Sequence, residues 1–460
     1  MNILYQPEFL YGEDTFHTGA DLLVDGYGKL TRGVGSDTAR LVTLKNKALL
    51  PGFVNVHSHS FQRLIRGQSE SRVTSGKDFW SWRGTMYHAA SNLSPDDVYD
   101  VARMAFLEMV KAGTTTVGEF HYLHTDPDGR PYDDPNLLGK QVISAAQSVG
   151  IRIVLLRSAY LRSGYELPLD RGQTRFFETL AGFLQNTASL LDAFADPDRV
   201  SIGIAPHSIR AVPLEALHQI SDWARQRNLP IHMHVAEQVA ENEACLREYG
   251  ATPVALLRRE KLLGADFTAV HAIHITDEEI AMLADAKATI CSCPTTERNL
   301  GDGILAVDKV MRAGISIALG SDSQAQIDPL EDGRQLDYHL RLSQQQRAVL
   351  DQIQDQPLAS RLLDCATRNG AQALNVCTGS LAPGACADFI TVDLNDPSIA
   401  GHSAEDLLPL VVFGLNRSAI KDVFVNGQQI LHEGRHALED EIVARYQAVH
   451  RKVWPALRRH

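Results

Sequence analysis

Short apolar runs rich in Val, Ile and Leu alternate with stretches of helical periodicity over most of the chain. The runs predict strands over Leu50–His57, Thr115–Phe120, Arg152–Ser158, Val200–Pro206, Ile231–Ala236, Thr268–His271, Ala288–Ser292 and Ser316–Gly320. Helical patterns lie between them, as in Pro95–Ala112, Leu214–Arg227, Thr252–Lys261 and Asp277–Ala284. Strands separated by helices in this way predict an α/β fold, a parallel (β/α)8 barrel of the TIM type. A doubly wound open sheet is the alternative, but no G-x-G-x-x-G follows the first strand.

Both ends of the chain break this rhythm. Residues 1–48 carry short β-like pieces and Gly turns, DLLVDGYGKL and RLVTLKNKALL. From about residue 380 the β character returns in ADFITVDL and KDVFVNGQQIL, the latter with an Asn-Gly hairpin signal. The pattern predicts one small discontinuous β-sandwich domain from residues 1–48 and 380–438, beside a barrel spanning 49–379. Helical segments near Pro357–Leu374 and Glu439–Trp454 flank the tail, the second as a C-terminal helix over 439–460.

Composition narrows the classes of function. The 460 residues are 44% hydrophobic, ample for a large core. A formal net charge of −12 offers no basic field and excludes a nucleic-acid partner. No apolar run approaches the ~18 residues of a membrane span. The opening MNILYQPEFLYGEDTF places acidic residues where a signal peptide carries its apolar core. Six cysteines without a spaced framework fit a reducing cytoplasm. Cys291 and Cys293 read as packed thiols in a strand.

The candidate chemistry stands at the strand ends. Residues two apart on a strand share a face, so His57 and His59 aim together off the first strand. Taken alone, His-x-His is equally a pair of polar loop residues. The other ends tip the balance. The fourth strand ends in Ala205-Pro206-His207-Ser208-Ile209-Arg210, and the fifth reads Ile231-His232-Met233-His234-Val235-Ala236-Glu237. The sixth reads Val270-His271-Ala272-Ile273-His274, and the eighth ends in Leu319-Gly320-Ser321-Asp322-Ser323. In a barrel of this type, the rim at the C-terminal strand ends is where chemistry is done.

In their order and spacing PGFVNVHSH, HMHVAE, HAIHIT and LGSDS resemble the amidohydrolase superfamily, and its deaminase branch in particular. Phe79-Trp80-Ser81-Trp82-Arg83, Gly118-Glu119-Phe120-His121-Tyr122 and the segment around His207 resemble members of that branch that act on a formimino dicarboxylate. The resemblance implies one divalent ion, usually zinc, held by His57, His59, His234 and Asp322. Three neutral imidazoles and a carboxylate suit Zn²⁺ and leave room for water. His232 and His274 do not match the motif positions and are expected to pack. The lysine of two-metal members is missing after strand four, where His207 stands, which implies a mononuclear site.

The resemblance also implies roles. Asp322 would accept a proton from water, His271 would orient the hydroxide, and Glu237 would pass a proton to the leaving nitrogen. Attack would fall on the carbon of a C=N bond and release ammonia. A flexible dicarboxylate needs cations, and Arg83, read as lying in an aromatic-rich loop after the first strand, and Arg210, at the end of the fourth, are the candidates, since Arg grips carboxylates through a planar fork. Gln62, Tyr122 and His207 are candidate further donors. The runner-up is a deaminase of the same branch acting on a purine, pyrimidine or triazine ring. A non-catalytic metal-binding scaffold is disfavoured by the intact set of His57, His59, His234, Glu237, His271 and Asp322. The expected partner is a small molecule in the cytoplasm, with neither nucleic acid nor membrane, and a homodimer is allowed.

Overall fold

The computed structural model describes residues 1–32, 39–68, 70, 78–165, 167, 170–194, 199–353 and 356–455. The side chains of Phe79, Trp80 and Ser81, quoted above, lie outside the described residues. Two sheets organise the chain. The first contains β1 (Ile3–Gly12), β2 (Thr15–Thr18), β3 (Leu22–Val24), β4 (Leu30–Thr31) and β5 (Arg40–Pro51). The second contains β6 (Phe53–Ser58), β7 (Thr114–His121), β8 (Arg152–Ala159), β9 (Val200–Pro206), β10 (Ile231–Val235), β11 (Phe267–His271), β12 (Thr289–Ser292) and β13 (Ile317–Leu319). The chain then returns to the first sheet with β14 (Phe389–Asp393), β15 (Ile420–Val425) and β16 (Gln428–Leu431).

Strands β6 to β13 pair in parallel, each with its successor, and helices fill the connections. This is the expected (β/α)8 barrel. Its ring is fastened by a single bridge between Ser58 and Asp322. There the His59 N–H donates to the Asp322 carbonyl at 3.0 Å, and the Asp322 N–H donates to the His57 carbonyl at 2.9 Å. Asn55 reinforces the seam from below, through Ser321 Oγ at 2.7 Å.

The apolar run ending in His57 is not one strand. Leu50 and Pro51 belong to β5 of the first sheet, and Phe53 starts the barrel. Gly52 makes the transfer, and a Cβ there would stand 2.2 Å from the Thr115 side chain. Arg83 also departs from expectation. It lies in a helix, Asp78–Ser91, and not in a loop.

The first sheet draws on both ends of the chain. β14 pairs antiparallel with β5 and β15, while β5 runs parallel to β1. β15 and β16 turn at Asn426 and Gly427, both at positive φ, as the Asn-Gly signal requires. Tyr5, Leu49, Phe389 and Phe424 pack a small core of their own. A buried ion pair, Arg152 Nε to Asp388 Oδ2 at 3.0 Å, ties the N-terminal end of β8 to this sheet. The C-terminal helix, Glu439–Val453, lies on Pro95–Lys111 and reaches the turn after His59: Arg63 Nη1 donates to the Tyr446 hydroxyl and Trp454 Nε1 to the Leu64 carbonyl. Among the described residues no helix is long and apolar enough to cross a membrane.

Candidate active site

The strand ends bring His57, His59, His234 and Asp322 together. Each offers a ligand atom, and these atoms lie within 4.8 Å of one another. All four side chains are buried. Nε2 of His57 and Nε2 of His59 are each 3.3 Å from Asp322 Oδ1. His59 Nδ1 lies 2.9 Å from the Phe120 carbonyl, and His234 Nδ1 lies 3.0 Å from the His207 carbonyl. A carbonyl only accepts, so the proton of each ring sits on Nδ1 and the Nε2 lone pair faces the cluster. Burial, with repulsion among the rings, moves the three imidazoles down in pKa, His57 to about 3, which keeps them neutral. Both ring nitrogens of His57 are buried without a hydrogen-bond partner. Buried polar atoms are ordinarily satisfied. A divalent ion among these donors fits the residues present, and the cluster could hold one.

The backbone here is bent to fit. His271 and Asp322 both have positive φ, at 72° and 43°, as do Ala236 and Ala272. Non-Gly residues in that region cluster at functional sites. Gly320 lets β13 approach the first strand, since a Cβ there would stand 2.8 Å from His57 Cβ and 2.9 Å from Cys293 Sγ.

His271 sits beside the cluster. Its Nε2 is 3.9 Å from both Asp322 Oδ2 and Glu237 Oε1, and its Nδ1 is 3.3 Å from Glu297 Oε1. Glu297 is further held by the Cys293 N–H at 2.7 Å and by Ser292 Oγ. Glu297 therefore fixes the ring that faces the cluster. It escaped the sequence reading, as did Glu119, which accepts from Ser58 Oγ at 2.6 Å and the Ser60 N–H at 2.7 Å behind the two histidines. The available signal for Glu297 was Pro294, a helix-opening residue directly after the seventh strand, which places the first turn of that helix at the barrel mouth. Cys293 is buried next to Cys291 and also borders His271 and Glu297.

A cavity of about 1170 Å³ opens over the rim. Arg83, His207, Arg210, His234, Glu237 and Glu241 line it. Arg83 Nε donates to the Tyr87 hydroxyl, and Arg210 Nη1 to the Tyr160 hydroxyl and the Ser163 carbonyl, both at 3.3 Å. Both guanidiniums thus reach one cavity wall from different elements. Burial pushes the Glu237 carboxyl up. Burial, with the Glu237 charge beside it, pushes Glu241 up to about 7. Gln62 and Tyr122 lie one layer deeper. Gln62 Nε2 donates to the Tyr122 hydroxyl at 2.8 Å, and the Tyr122 ring packs edge-on to His59. His232 is buried on the Ala373 carbonyl as expected, whereas His274 is half-buried, lies 2.8 Å from the Asp302 carbonyl and lines the cavity.

The model of the amidohydrolase family matches residues 48–430. Formimidoylglutamate deiminase of Pseudomonas aeruginosa is 37% identical over 398 residues, 85% of this chain and 86% of that one. This chain belongs to the amidohydrolase family. It is accordingly a hydrolase acting on carbon–nitrogen bonds. A solved amidohydrolase from Brucella melitensis superposes with a TM-score of 0.88 at 31% identity, covering 98% of this chain and 99% of that one. 5-Methylthioadenosine/S-adenosylhomocysteine deaminase of Thermodesulfovibrio yellowstonii is 27% identical over 404 residues, 86% of this chain and 82% of that one. An atrazine chlorohydrolase of Arthrobacter aurescens, solved with zinc, shares the fold, with a TM-score of 0.84 at 23% identity over 97% of this chain and 100% of that one.

Proposed function

We propose that this amidohydrolase hydrolyses N-formimino-L-glutamate to N-formyl-L-glutamate and ammonia, in the degradation of histidine in the cytoplasm. The observation that carries the reading is the pair Arg83 and Arg210 on the wall that also presents His234 and Glu237. A dianion needs two cations near the reacting carbon, and a neutral ring does not. The relative at 37% identity supports the same reading through its name.

His57, His59, His234 and Asp322 would hold one zinc or similar ion. When bound, such an ion supplies hydroxide near neutral pH and charge for the developing transition state. The chain does the rest. Asp322 takes a proton from water. His271, held by Glu297, steers the attacking oxygen toward the formimino carbon. Glu237 hands a proton to the nitrogen that leaves as ammonia. Arg83 and Arg210 grip the carboxylates, and His207 adds a donor at the same wall. Gln62 and Tyr122, expected as substrate donors, lie one layer behind this wall and would instead brace the His59 ring.

Ammonia release from N-formimino-L-glutamate, beside guanine, cytosine and adenosine, tests the reading. Turnover confined to the formimino compound is expected. Removing one partner of a buried charge pair costs roughly 2–5 kcal/mol. Arg83→Ala and Arg210→Ala should therefore each lower kcat/KM about 30- to several-thousand-fold with metal content retained. Rapid deamination of a ring compound would instead favour the purine, pyrimidine or triazine reading, toward which the relative at 27% identity leans.

A further inference from the structure

A second group of reactive side chains lies at the opposite end of the barrel. Cys377 and Cys386 bracket a loop that leads from the helix Arg368–Ala373 to β14. Their sulfurs are 2.7 Å apart. The Cys386 N–H donates to the Cys377 carbonyl at 2.7 Å, so the backbone already holds the loop ends together. Lys29, bridged to Cys386 through the backbone, reaches both thiols: its Nζ is 3.0 Å from Cys386 Sγ and 3.4 Å from Cys377 Sγ. Cys377 is exposed, while Cys386 and the other four cysteines are buried.

A thiolate is the nucleophilic form of cysteine, and a nearby cation favours it. The hydrogen bond from Cys386 and the charges of Lys29 and Arg152 outweigh partial burial and bring the Cys377 thiol down to about 5. An exposed thiolate with a resolving thiol beside it is the arrangement found in redox-sensing cysteines.

We infer that Cys377 is a hydroperoxide-reactive thiol and Cys386 its resolving partner, joined on oxidation in a disulfide that locks the loop 377–386. In the first step the Cys377 sulfur attacks one peroxide oxygen. The O–O bond breaks, and the other oxygen leaves with a proton as water or an alcohol. Cys377 becomes a sulfenic acid. In the second step the Cys386 sulfur attacks the Cys377 sulfur, the S–O bond breaks, and water leaves with the Cys386 proton. Two thiols are oxidised by two electrons and one hydroperoxide is reduced.

The lock acts on the scaffold and not on the chemistry. Asp388, two residues past Cys386, pairs with Arg152 at the first residue of β8. The rise of that strand, roughly 23 Å at ~3.3 Å per residue, separates this end from the His–Asp cluster.

The test uses the reduced full-length protein and one equivalent of hydrogen peroxide. Thiol titration in denaturant should fall from six to four, with a species two hydrogens lighter and a peptide joining Cys377 to Cys386. Ammonia release should be unchanged. Cys386→Ser should stop at the sulfenic acid, trapped on Cys377 by dimedone, and Lys29→Met should slow the wild-type reaction several-fold. Cys377→Ser should keep its five thiols. Retention of all six thiols by the wild type, oxidation of another cysteine first, or gain of oxygen without pairing would each overturn the inference.

Discussion

At the scale of single residues, the proposed roles separate holding from proton transfer. Glu237→Gln keeps the shape of the side chain and removes its acid–base function. General acid–base catalysis is typically worth ~10²–10⁴-fold. The expected outcome is a fall in kcat of that size with one ion per chain retained, whereas His234→Ala should lose ion and activity together. Elemental analysis beside ammonia release distinguishes the two. Glu297 touches His271, the Ser292 hydroxyl and the Cys293 N–H and does not line the cavity, so it is a positioning residue. Removing such a supporting partner typically costs 10–100-fold. Glu297→Gln should lower kcat by about that factor, leave KM nearly unchanged, and shift the pH profile, a change that a purely structural role would not produce. The contrast with His57 and His59 explains what was legible. A spacing of two on a strand end is visible in the sequence. Glu297 is 26 positions from His271 and meets it only because β11 and β12 are neighbours.

At the scale of elements, the barrel strands were readable because each is a short run rich in apolar and β-branched residues and almost wholly buried. The division of the first run was not. Leu50 and Phe53 look alike as apolar residues, and only the pairing of β5 with β14 assigns them to different sheets. Likewise, the helix carrying Arg83 reads as a loop, because its Trp, Gly and Thr residues interrupt helical periodicity. The Asn426-Gly427 hairpin was legible, since its turn chemistry is local. We propose the small domain of residues 1–48 and 380–438 as the unit built on the first sheet. Gly320 marks where elements touch most closely. Overpacking typically costs 1–3 kcal/mol. Gly320→Ala should lower the urea midpoint accordingly and weaken ion retention, since the added methyl meets His57 directly.

At the scale of the whole molecule, acid is the predicted weakness. Burial would raise the Glu178 carboxyl, but His124 and Arg157 overcome this and hold it down to about 2, against 4.5 for a free side chain. Burial brings His124 down to about 4 from 6.5. Both groups take up their protons later in the folded chain than in the unfolded one, so protons favour unfolding. The His124 contribution is complete above pH 6.5 and is lost as pH falls toward 4. The Glu178 contribution is complete above pH 4.5 and is lost toward pH 2. At ~1.4 kcal/mol per unit, Glu178 alone is worth roughly 3 kcal/mol. The urea midpoint should drop between pH 7 and pH 3, and less steeply in Glu178→Gln.

The bridge between Ser58 and Asp322 has a consequence of another kind. Asn55 and Ser321, which brace it, are 266 positions apart in sequence, so this joint is among the last a folding chain can make. Until it closes, the barrel is a strip with two bare margins, β6 and β13, each able to recruit a foreign strand. Three of the four residues proposed to hold the ion, His57, His59 and Asp322, meet at this joint. An ion held there would be a clasp as well as a reagent, and a cell short of metal would then be left with sticky ribbons as well as idle enzyme.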